Sequence, residues 1–146
     1  MKSLPVYFYV QKNAQRNVTG IVTFELTRIN VGEAMDACSG IFTAPRNGIY
    51  TFQLTGVELG PSASNYNQLR VALMLNGSQV GLSGTDQTGG PLQTYSLHST
   101  LDLKAGDQLW ISINAASGGA RLYDDSNHYT HFSGHLLQEH LARSIF

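Results

Sequence analysis

Residues 47–55 read Asn-Gly-Ile-Tyr-Thr-Phe-Gln-Leu-Thr, and this stretch decides the fold class. Asn47-Gly48 is a turn-forming pair, and beyond it Tyr50, Phe52 and Leu54 alternate with Thr51, Gln53 and Thr55. Successive side chains of a strand point to opposite faces, so the segment predicts a β-strand with one buried and one wetted face. Residues 95–104 repeat the pattern, with Tyr95, Leu97, Leu101 and Leu103 set against Ser96, His98, Asp102 and Lys104. Both segments are expected in an outer sheet.

Three segments lack that alternation. Val6-Tyr7-Phe8-Tyr9-Val10, Val71-Ala72-Leu73-Met74-Leu75 and Leu109-Trp110-Ile111 are apolar at successive positions, which implies cover on both faces. A neighbouring subunit supplies such cover, or a loop of the same chain folded over the sheet. Asn76-Gly77 predicts a type I′ hairpin, because both central residues of that turn need positive φ. Lys104-Ala105-Gly106-Asp107 predicts a second tight turn. Gly89-Gly90-Pro91 and Gly118-Gly119 add further breaks, and no apolar stripe at helical spacing precedes residue 136. The chain reads as all-β, and 146 residues suit one domain.

Charged residues make up 13% of the sequence, about half the usual share of ~25%, which favours a surface partly covered by a partner. Nine basic and ten acidic residues are scattered without runs, which gives no footprint for nucleic acid or an anionic membrane. No apolar run approaches the ~20 residues that span a bilayer. Met1–Pro5 lacks the apolar core of a signal peptide, so the expectation is either that a leader was removed or that the protein is not exported by that route. The lone Cys38 excludes an internal disulfide framework. Asn17-Val18-Thr19 and Asn76-Gly77-Ser78 are acceptor tripeptides for N-glycosylation should the chain enter a secretory pathway.

Hydrolase, kinase and phosphate-loop motifs are absent, and Cys38 stands in no nucleophile pattern, so no enzyme is expected. His128, His131, His135 and His140 gather towards the C-terminus. On a strand His131 and His135 share a face, a spacing open to zinc or to solvated imidazoles.

Gly40-Ile41-Phe42-Thr43-Ala44-Pro45 leading into Gly48-Ile49-Tyr50-Thr51-Phe52 resembles the signature of the C1q globular domain. Phe24 sits where that family places a phenylalanine before its first long loop, with Glu25 where Asn or Asp is common. Asp107-Gln108-Leu109-Trp110-Ile111 is similar to the strand after the family's Ala-Gly-Asp turn, and Phe132-Ser133-Gly134-His135-Leu136-Leu137 to its closing strand, with His135 in place of the usual aromatic.

The resemblance implies a ten-stranded antiparallel jelly roll of the tumour-necrosis-factor-like superfold, assembled as a homotrimer. It places the domain at residues 1–137, leaving 138–146 as a C-terminal tail; Leu137 at the end of the domain and Leu141 and Ile145 in the tail sit at i, i+4 spacing, open to a short helix, a packed tail or a disordered one. It also implies that the chain-end strands share the interface sheet with residues 69–75 and 108–114, and Tyr7, Phe8, Tyr9, Trp110 and Phe132 are the aromatic candidates for that interface. Asp125, with Asp124 beside it, matches the apex loop where some relatives hold calcium.

The function implied is a secreted, non-enzymatic recognition module for a protein, glycan or microbial-surface ligand, of the innate-immune type. The alternatives are a trimeric signalling ligand for a cell receptor and a structural surface-coat trimer. Gly-X-Y repeats are absent, so no collagen stalk lies within these residues.

Overall fold

The computed structural model describes residues 4–16, 18–60, 66–88 and 92–141. In chain order the strands are β1 (Tyr7–Gln11), β2 (Gly20–Ile21), β3 (Leu26–Val31), β4 (Met35–Asp36), β5 (Ile41–Thr43), β6 (Gly48–Leu59), β7 (Tyr66–Leu75), β8 (Ser78–Thr88), β9 (Gln93–Leu103), β10 (Gln108–Ser117), β11 (Arg121–Tyr123) and β12 (His131–Glu139). There is no helix among the described residues. Two of these strands, β2 and β4, are two-residue pairings, and without them the count is the expected ten.

All strand pairs are antiparallel. One sheet runs β3-β1-β12-β6-β9, with β11 continuing the edge of β6 beyond β12. The other runs β4-β5-β10-β7-β8, with β2 also on β10. The first and last long strands are thus neighbours in the middle of one sheet, and a single core lies between the layers.

The alternating residues pack as their period dictates. Tyr50, Phe52 and Leu54 point inward from β6, and Phe42 of the opposite sheet lies 5.6 Å from Tyr50 and 5.2 Å from Phe52 between ring centres. The Tyr50 hydroxyl donates to the Arg46 carbonyl at 2.7 Å, which ties the core to the turn that starts β6. Gly40 of the signature has φ +79°, and a Cβ there would sit 2.1 Å from the Val22 carbonyl oxygen, so only glycine fits. Asn76 and Gly77 have φ of 50° and 90°, the positive pair a type I′ hairpin requires.

The sheet assignment needs correcting. The strands expected in an outer sheet, around Tyr50 and Tyr95, pair with each other and share a sheet with β1 and β12. Residues 71–75 and 109–111 lie in the opposite sheet, so the three doubly apolar segments do not form one face. On the second face of β7 and β10, Trp110 stands between Met74 and Ile41, all three half-buried, and the Asn114 amide donates to Gln79 Oε1 at 2.9 Å, joining β10 to β8. The small Ala72 is fully buried. Side-chain contact within a sheet can satisfy a run of apolar residues without a partner.

β12 continues past Leu137 to Glu139, pairs Gln138 with Ile49 across a bulge, and His140 N–H bonds the Asn47 carbonyl at 2.9 Å. Leu137 is therefore in a strand and not in a helix, and Ile145 lies outside the described residues.

Candidate functional site

The outward face of the first sheet is built from three cross-strand rows fixed by register. The first is Val31, Tyr7, His135, Thr51 and Thr100; the second is Ile29, Tyr9, Ser133, Gln53 and His98; the third is Gln11, His131, Thr55 and Ser96. None of these is Asp, Glu, Lys or Arg. Charges stand at the margins, already engaged: Arg28 donates to Gln11 Oε1 at 2.7 Å, Asp102 meets His140 at 3.0 Å, and Arg46 meets Glu139 at 2.9 Å.

The face is apolar on its β3–β1 side and hydroxyl-rich on its β6–β9 side. Tyr7 and Ile29 are each 39% exposed. Tyr7, Tyr9, Ile29, Ser133 and His135 enclose an apolar depression of about 370 Å³. Contiguous uncharged, aromatic-bearing patches of this kind mark surfaces that meet another protein, a membrane or a ligand.

Of the aromatic candidates for that surface, Tyr7 and Tyr9 are on it. Phe8 and Phe132 are not: each is at most 3% exposed, and their rings meet edge to face at 5.1 Å inside the core. Strand alternation places them opposite Tyr7 and Ser133. Trp110 is on the far sheet. Sequence reading missed Thr51, Gln53, Ser133 and His98, whose signal was the uncharged polar half of the alternation in β6, β9 and β12.

The apex loop after β11 is closed on itself. Asp124 is buried, its Oδ1 accepts from the amides of Asp125 at 2.7 Å and Tyr129 at 2.9 Å, and its Oδ2 accepts from that of Thr130 at 2.8 Å. Asp125 accepts from the Asn127 amide at 2.7 Å and the Tyr123 hydroxyl at 3.0 Å. The Asn127 amide, followed by the Tyr123 hydroxyl, holds the Asp125 carboxyl below its ordinary range. Calcium takes 6–8 oxygens, and no group of three or more His, Cys, Asp or Glu suited to a metal occurs among the described residues. Asp124 and Asp125 are engaged by loop amides and the Tyr123 hydroxyl, and no third His, Cys, Asp or Glu joins His131 and His135 among the described residues.

Glu25 earns its place through Lys12. The Lys12 ammonium, 3% exposed, meets Glu25 Oε2 at 3.0 Å and donates to the Thr23 carbonyl at 2.8 Å, while Glu25 Oε1 accepts from the Asn13 amide at 2.7 Å. The Glu25 carboxylate, one methylene further out than the side-chain oxygen of Asn or Asp, reaches both. Of the two glycosylation acceptors, Asn76 is exposed on the hairpin, its Oδ1 accepting from the Gln108 amide at 2.8 Å and its Nδ2 donating to Asp107 at 3.1 Å. Asn17 lies outside the described residues. Cys38 is a free, exposed thiol.

Comparison with known proteins supplies the family. The profile of the C1q domain matches residues 7–137. This chain belongs to the C1q domain family. It is 30% identical over 139 residues to mouse complement C1q tumor necrosis factor-related protein 3, covering 95% of this chain and 50% of the relative. It is 34% identical over 119 residues to zebrafish (Danio rerio) caprin-2, covering 81% of this chain and 12% of that protein. The chain thus spans half or less of these relatives. Among solved structures, the globular domain of zebrafish complement 1qA superposes with a TM-score of 0.74 at 18% identity, covering 92% of this chain and 99% of that one. Murine APRIL superposes at 0.66 and 13%, covering 91% and 99%. These likenesses establish the jelly-roll fold.

Proposed function

We propose that this C1q domain is a secreted, non-catalytic recognition module that works as a homotrimer, with the outward face of the first sheet as its subunit interface. The observation that carries the reading is the uncharged face itself, three rows deep and aromatic at one side. In a threefold ring each subunit offers one part of this face to a different part of its neighbour, and closure limits growth. The apolar β3–β1 side and the hydroxyl-rich β6–β9 side supply two such unlike parts.

The outer sheet and the loops then face ligand in three copies. Three weak contacts on one rigid body act with the avidity of linked sites, which suits repetitive glycan or microbial surfaces. The test is binding to glycan and microbial-surface arrays by the wild type and by Ser133→Glu, which sets a charge in the middle of the face. Retained fold with an apparent affinity about 100-fold weaker supports multivalent surface recognition. Saturable binding to a single cell receptor, with no array signal, replaces it with a signalling role.

A further inference from the structure

Three of the five histidines, His98, His131 and His135, stand in the rows of the uncharged face. His98 and His135 share a second depression of about 130 Å³ with Thr51, Gln53 and Ser133. His98 Nε2 is 3.2 Å from Thr51 Oγ1, and the His131 ring is 5.6 Å from that of Tyr9.

What faces each imidazole is neutral. His135 lies between Tyr7 on β1 and Thr51 on β6. His131 lies between Gln11 and Thr55, with Tyr9 beside it and Arg28 bound behind Gln11. His98 faces Gln53 and Thr51 on β6. The acid on the same face of β9 is Asp102, which pairs with His140, and Glu139 at the end of β12 pairs with Arg46. No carboxylate among the described residues stands in the rows to receive a histidine cation.

We propose that this face is an acid-sensitive assembly surface, on which the trimer forms with its imidazoles neutral and separates as they protonate. The inference rests on the trimer reading above. Burying a cation without a counter-charge or a full set of acceptors is costly. The free subunit therefore binds protons that the assembled one excludes. Assembly is favoured above about pH 6.5, where imidazoles are ordinarily neutral, and weakens as pH falls through it. Two carboxylates take no part: the Lys104 amide and the Asn76 side chain hold Asp107 below its ordinary range, as the Asn127 amide holds Asp125, so both stay charged at pH 5.5.

The experiment is sedimentation velocity at pH 7.5 and 5.5, with near-ultraviolet circular dichroism recording whether subunits stay folded. It uses the wild type, the triple variant His98→Gln/His131→Gln/His135→Gln, the three single variants, and His140→Gln as a control outside the rows. At about tenfold per histidine per pH unit, the concentration for half-assembly of the wild type should rise at least about 100-fold at pH 5.5, reversibly and with subunits folded. The triple variant should shift less than about 3-fold, the singles should fall between, and His140→Gln should follow the wild type. Equal assembly at both pH values, an acid response kept by the triple and single variants, or loss of the folded signal with dissociation overturns the proposal. A lone wild-type subunit at pH 7.5 instead overturns the trimer reading, and this inference with it.

Discussion

Gly134 gives the sharpest test of the core beneath the proposed interface. A Cβ added there would lie 2.6 Å from Phe52 Cδ1 and 2.7 Å from Phe8 Cε2, against the ~3.5–4.0 Å of a comfortable carbon contact. Neither ring has room to retreat, since Phe8 packs on Phe132 at 5.1 Å and Phe52 on Phe42 at 5.2 Å. Gly134→Ala should therefore cost about 1–3 kcal/mol by overpacking, or roughly 3–10 °C in a thermal melt at fixed subunit concentration. The cost is steric, so shrinking a ring should relieve it. In a double-mutant cycle with Phe8→Leu, the pair should be less destabilised than the sum of the singles by at least ~0.5 kcal/mol. A neutral Gly134→Ala, or strict additivity with Phe8→Leu, refutes the packing argument.

Other positions yield direct expectations. Asp124→Asn replaces one acceptor oxygen with a donor facing backbone amides, and should lower stability by about 2 kcal/mol in denaturant unfolding. Millimolar calcium should move the melting temperature by less than about 1 °C, because a ligand that does not bind the native state cannot stabilise it; a rise that Asp125→Ala removes contradicts the closed-loop reading. Glu25→Gln leaves the Lys12 ammonium buried without its counter-charge, whereas Lys12→Met leaves a half-exposed carboxylate. The first should cost about 2–3 kcal/mol and the second about 1 kcal/mol, and the reverse order contradicts the burial argument.

The fold was legible because its strongest signals are local. Asn76-Gly77 names its own turn, and Tyr50, Phe52 and Leu54 show period two without help from the rest of the chain. Which sheet each strand joins was not legible from such periods. A run like Val71–Leu75 looks the same whether a partner covers its second face or its own neighbours Trp110 and Leu82 line it, because only register shows which residues stand beside it. The interface aromatics followed the same divide. Tyr7 and Phe8 are equally apolar in sequence, and one side of the pleat separates a surface residue from a core one. Asp125, with Asp124 beside it, read as a cation ligand because carboxylates serve amides and metals alike, and the amides that engage both come from loop closure.

In the proposed trimer, two further copies of the chain hide the outward face of the β3-β1-β12-β6-β9 sheet. Light scattering on the eluting protein at pH 7.5, for wild type and Ser133→Glu side by side, measures it directly. The mass of three subunits is expected for the wild type and that of one folded subunit for the variant. A wild type that elutes at micromolar concentration as a well-folded single subunit contradicts it.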